Sequence, residues 1–123
     1  MAGSLYPKHS ADFLAEIEIL PLGKTYRTKH PKNGIRWALA YPDDFNLGNF
    51  TVSDVWPDFL DSEGNSISKS EDLQGVYKAE MHILFPEMVA VHSERLKFDA
   101  NFYCTEGRDI VAHGKMIKFF KKP

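Results

Sequence analysis

The chain has 123 residues, 43% of them hydrophobic and 26% charged, with a formal net charge of -2. That balance supports one globular domain with a single core and excludes disordered or collagen-like chains. No apolar run reaches the ~18 residues of a membrane span and Met1 to Ser10 lacks a signal-segment pattern, so a soluble, cytoplasmic protein is expected; the single cysteine, Cys104, excludes an internal disulfide framework or thiolate zinc cluster.

In chain order, residues 1–12 are expected to form an N-terminal tail ahead of one domain over 13–120. Ala15, Ile17 and Ile19 alternate with Glu16 and Glu18, the period of a half-buried strand. A polar stretch from Lys24 to Arg36 follows, holding five cations and Tyr26, with an Asn33-Gly34 turn signal. Trp37, Leu39 and Tyr41 alternate again, Asp43-Asp44 marks a turn, and Phe50, Val52 and Val55 lie in a β-prone run. Trp56, Pro57, Phe59 and Leu60 form an apolar cluster with no obvious strand partner, bordering an acidic excursion over about 58–75 that reads as a loop insertion. Tyr77 to Phe85 alternates, whereas Pro86 to Leu96 suits either a short helix or a strand, and extended structure is favoured. Phe98, Ala100, Phe102 and Cys104 alternate with polar neighbours, Glu106-Gly107-Arg108-Asp109 is the clearest hairpin turn, and Ile110 to Phe120 makes a last strand. Six strands without a long amphipathic helix predict an all-β fold, a single six-stranded antiparallel closed β-barrel of Greek-key type, because closure removes exposed strand edges.

Charge is segregated: residues 1–40 carry +3, residues 41–75 carry -7 and residues 76–123 carry +2. An electrical dipole is expected, with a basic protein approaching the acidic side and a nucleic acid only the opposite side, near Lys24 to Arg36. Deleting Ser62 to Asp72 is expected to leave the barrel folded, since that stretch offers only Ile67 to a core.

Catalytic signatures are missing: the chain has no phosphate-binding Gly-x-x-x-x-Gly-Lys, no Gly-x-Ser-x-Gly and no His-Glu-x-x-His. Asp61-Ser-Glu-Gly-Asn resembles part of a calcium loop but lacks its bidentate acid, so a solvated acidic loop is the better account. The five histidines, His9, His30, His82, His92 and His113, never fall at metal-ligand spacing, and Cys104 beside His113 reads as a small buried hydrophobe rather than a nucleophile. A non-enzymatic binding module is expected, with no cofactor, metal, membrane or nucleotide. Trp56, Phe59, Asp58 and Asp61 are the candidate contacts for a protein partner; the alternative for Trp56 and Phe59 is that they plug one end of the barrel.

Three segments also resemble a known family. Phe13 to Leu20 is similar to the opening strand of the third, C-terminal barrel domain of elongation factor Tu and related translational GTPases. Arg27 precedes Gly34-Ile-Arg36 by the interval of that domain's loop arginine, and Glu106-Gly107-Arg-Asp-Ile-Val111-Ala-His-Gly114 keeps the spacing of its last hairpin. The resemblance covers about residues 13 to 119, departs at Lys29-His30, at His113 and at the acidic excursion, and implies binding rather than GTP hydrolysis. It makes Arg27, Lys29, Arg36, Glu106 and Gly107 candidate contacts for RNA, the alternative partner.

Overall fold

Alternation produces the strands. The computed structural model describes residues 10–48 and 53–120. Six strands, β1 (Phe13–Ile19), β2 (Trp37–Ala40), β3 (Ser53–Leu60), β4 (Gly75–Ile83), β5 (Asn101–Glu106) and β6 (Asp109–Phe119), close into an antiparallel barrel in the order β1-β4-β3-β2-β5-β6. The run β2-β3-β4 with β1 returning beside β4 is a Greek key. Two short helices, α1 (Pro42–Asn46) and α2 (Val89–Arg95), interrupt the connections.

The inward residues fill the barrel. Phe13, Ile17, Trp37, Leu39, Phe59, Met81, Ile83, Phe102 and Cys104 are buried, and the Phe13 ring meets Phe102 edge-on and stacks on Phe119. Phe102 lies across Gly114, its register partner, so closely that a Cβ there would sit 2.2 Å from the ring. A glycine is therefore required in the middle of β6, where a side chain would displace the core aromatic.

Topology sorts the connections. The hairpin turn at Gly107-Arg108, the 20–36 connection and the 61–74 connection lie at one end, the loop end. The 41–52 and 84–100 connections lie at the other, the helical end. Gly107 has φ 62 at the first turn position and Glu106 pairs with Asp109, a two-residue turn with the twist that antiparallel strands need.

Several expectations are corrected. Pro86 to Leu96 is not extended: a 3-10 turn at Pro86–Met88 leads into α2, because Val89, His92 and Leu96 recur at helical spacing and face inward. Phe98 does not share the inner face with Phe102; it precedes β5 and is 77% exposed. Asp12 is no tail residue, since it is buried and its carboxylate accepts the Ile83 amide at 2.7 Å. Phe50 and Val52 lie outside the described residues.

The apolar cluster does have a strand partner. Trp56 to Leu60 belong to β3 and pair with Lys78 to His82 of β4, so the acidic loop spans 61–74 rather than 58–75. Pro57 is tolerated because it lies past Val55, the last β3 residue paired with β2. Beyond that point the edge of β3 would stand open. The Asn33 side chain fills it, accepting from the Phe59 amide at 2.9 Å and donating to the carbonyls of Phe59 and Ile67 at 3.1 and 2.9 Å, as a peptide group would. The Ile67 amide adds a bond to the Phe59 carbonyl at 2.9 Å, and Ile67 and Leu73 are buried. The acidic loop is thus a seam of the barrel, and deleting 62–72 would expose a strand edge rather than trim a solvated excursion.

Candidate binding surfaces at the two ends of the barrel

At the loop end, the basic segment is held by carboxylates. Glu106, at the end of β5, accepts from the Arg27 guanidinium and, through the same oxygen, from the Trp37 indole at 2.8 Å. The Arg27 Nε donates to the Lys29 carbonyl at 3.0 Å, Lys32 reaches Asp72 at 2.7 Å, and Arg36 reaches Asp54 at 2.8 Å. The fold brings all five candidate RNA contacts, Arg27, Lys29, Arg36, Glu106 and Gly107, to the loop end, with Arg36 paired to Asp54 of β3. Glu106 and Gly107 brace and turn the chain. Lys29 is exposed and makes no ion pair among the described residues.

The acidic 61–74 loop and the basic segment do not face opposite ways, as the expected dipole required. They share the loop end, joined by Lys32 to Asp72 and by the Leu73 amide on the Pro31 carbonyl at 2.9 Å. The Lys32 bond and charge, followed by His30, hold the Asp72 carboxyl below its usual range. Two open clefts of about 710 Å³ each flank the segment. One is lined by Leu22, Arg27, Lys29, His30, Lys32 and Ile35, among others; the second is lined by Lys24, Tyr26, Arg108, Asp109 and His113, and the Tyr26 side chain beside it is 89% exposed.

The four candidate protein contacts separate. Phe59 is fully buried, edge-on to Trp37 and Tyr77, which is the plugging alternative. Asp58 is fully buried as well, accepting from Ser66 at 2.9 Å and Asn33 at 3.3 Å, and it helps raise the Glu80 pKa after desolvation, the larger cause. Trp56 is half-buried opposite His82 on the outer face. Asp61 is exposed, but one carboxylate oxygen accepts the amides of Glu63 and Asn65, a local turn. The proposed patch therefore does not exist as a surface.

Cys104 and His113 cannot meet. Cys104 pairs with Ala112 and Tyr103 with His113, which sets the thiol inside the barrel and the exposed imidazole outside against the Tyr103 ring. Burial pushes the thiol up to about 12. Among the described residues no group of three His, Cys, Asp or Glu side chains is gathered for a metal ion, and no helix is long and apolar enough to cross a membrane.

The helical end holds what the sequence did not suggest. His92 of α2 is buried between two hydroxyls, with Nδ1 against Tyr41 and Nε2 against Ser53, so one ring nitrogen donates and the other accepts. Burial, then the Arg95 charge, lowers the His92 pKa to about 4, while Asp12 acts in the opposite direction. Arg95 lies 3.8 Å over the Tyr41 ring and bonds Asp44 of α1 at 2.6 Å; burial holds the Tyr41 phenol above its usual range. Reading Val89, His92 and Leu96 as one helical face would have pointed to this cluster. Outside it, Leu47, Phe85, Val91, Phe98 and Phe120 are exposed, five of the seven exposed large hydrophobics among the described residues. No protein family is matched by the chain, and no curated protein matches it.

Proposed function

We propose that this chain is a non-enzymatic binding module that docks a protein partner through the helical end. The observation that carries it is that exposed Phe85, Phe98 and Phe120 lie at one end of the barrel, near the ends of β4, β5 and β6, with exposed Val91 of α2 at the same end. These strands neighbour one another around β1, so the three rings ring one rim. Aromatic side chains dominate interfaces, and exposed ones on one rim suit docking. The test compares the chain with a Phe85→Ser/Phe98→Ser double variant as bait, followed by direct titration of whatever is retained. A protein held by the unaltered chain and at least tenfold weaker on the variant, with the same melting temperature, supports the reading. Equal retention by both overturns it.

A second reading is favoured by Tyr26, which projects beside Lys24, Arg108 and His113: single-stranded RNA stacking a base on the ring. Such binding weakens steeply with salt, whereas docking on the aromatic rim changes little. Loss of oligonucleotide binding in Tyr26→Ala, and its decline between 50 and 200 mM salt on the order of the counterion-release effect, would support it.

A further inference from the structure

We propose that the cleft formed by Leu22, Arg27, Lys29, His30, Lys32 and Ile35 binds a phosphate monoester carried on a small apolar body. At about 710 Å³ it falls within the roughly 300–1,000 Å³ of small-molecule sites. Its lining holds three permanent cations, Arg27, Lys29 and Lys32, against Asp72, and Glu106 pairs with Arg27 from outside the lining, a formal +1 with His30 neutral. A phosphate monoester carries about -1.5 to -2 at pH 7, which the cleft's positive excess favours.

The walls are braced from within the protein. Arg27 is held by Glu106 and the Lys29 carbonyl, Lys32 by Asp72 and the Ser70 carbonyl at 3.1 Å, and buried Asn33, next after Lys32, anchors the chain to β3. Preformed donors lose less freedom on binding than mobile ones. The Lys29 ammonium makes no ion pair among the described residues, and the Arg27 Nη2 makes no hydrogen bond among them, so donors remain for the anion. Leu22 and Ile35 offer apolar area that an inorganic ion would not use. A compact ligand is favoured over a polyanion, because a chain leaving the cleft past Lys32 meets Asp72 and the exposed Glu71.

Phenyl phosphate is the probe, titrated by calorimetry and by amide NMR shifts, with phenol, inorganic phosphate and an oligouridine lacking terminal phosphates as comparisons. Saturable binding of phenyl phosphate is expected, with shifts at Leu22 to Ile35. Phenol should not bind, and inorganic phosphate should bind at least tenfold more weakly. Lys29→Glu, an exposed position, should weaken binding about tenfold or more with an unchanged melting temperature. No saturable binding, equal binding of phenol, or an unaffected Lys29→Glu variant overturns the proposal. Displacement of phenyl phosphate by the oligouridine also overturns it and assigns the cleft to RNA; oligouridine that binds without displacing it leaves both sites standing.

Discussion

The barrel is closed at its two ends by connections of equal length, 20–36 and 84–100, and they close it by opposite means. The first is rich in Lys, Arg, Pro and Gly, forms only one 3-10 turn, and seals its end with side-chain bonds to backbone and with ion pairs. The second carries apolar residues at helical spacing, so it seals its end by seating a helix, with Leu96 and His92 buried beneath it. What each leaves outside follows from how it closes. A polar seal presents charged rims and clefts. A helical seal presents the residues its period turns away from the core, here Val91 together with the flanking phenylalanines.

The largest expected effect is on the polar seal. Asn33→Ala leaves the buried amide of Phe59 and the carbonyl of Ile67 without the side-chain partner that mimics a strand, each costing about 1–3 kcal/mol when unsatisfied, while the Phe59 carbonyl keeps the Ile67 amide. A loss of about 4 kcal/mol in urea denaturation is expected. A loss under about 1 kcal/mol would show that the seam is not closed this way.

The helical seal should instead be the acid-sensitive one. His92 has its pKa lowered from 6.5 to about 4 in the folded chain, so between those values the unfolded chain takes up a proton that the folded chain refuses. Its stabilising contribution is complete above pH 6.5 and is lost as pH falls towards 4, about 3 kcal/mol in all. Subtracting the same profile for His92→Gln removes carboxylate contributions, including that of Glu80, whose raised pKa works in the opposite sense. The difference should slope only across this window, and amide exchange should report α2 opening before the strands; a flat difference would contradict the burial of a neutral imidazole.

The smallest effects are expected at the exposed rim. Phe98→Ser removes a ring that is 77% exposed, and stability should change by within about 0.5 kcal/mol. A larger loss would mean that the rim is part of the core and not a surface awaiting a partner.

The barrel was legible because alternation is local: Ile17 between Glu16 and Glu18 has one sheet face available whatever lies elsewhere, and Glu106-Gly107 turns the chain by its own dihedral preference. Burial of Cys104 was legible for the same reason. The surfaces were not, since Asp58 and Phe59 look like an acidic, aromatic patch until Asn33, 25 and 26 residues away, covers them. Charge along the chain likewise says nothing about charge in space: the basic 24–36 stretch and the acidic 61–74 loop meet at one end because both the β1–β2 and β3–β4 connections must turn there, while Asp43 and Asp44 of the same acidic segment lie at the other. Residue type and period thus determine which way each side chain faces on its own strand or helix. Which side chains then become neighbours, whether Glu106 under Arg27 and Trp37 or His92 between Tyr41 and Ser53, depends on strand order, and strand order is decided by closing every edge of the sheet at once.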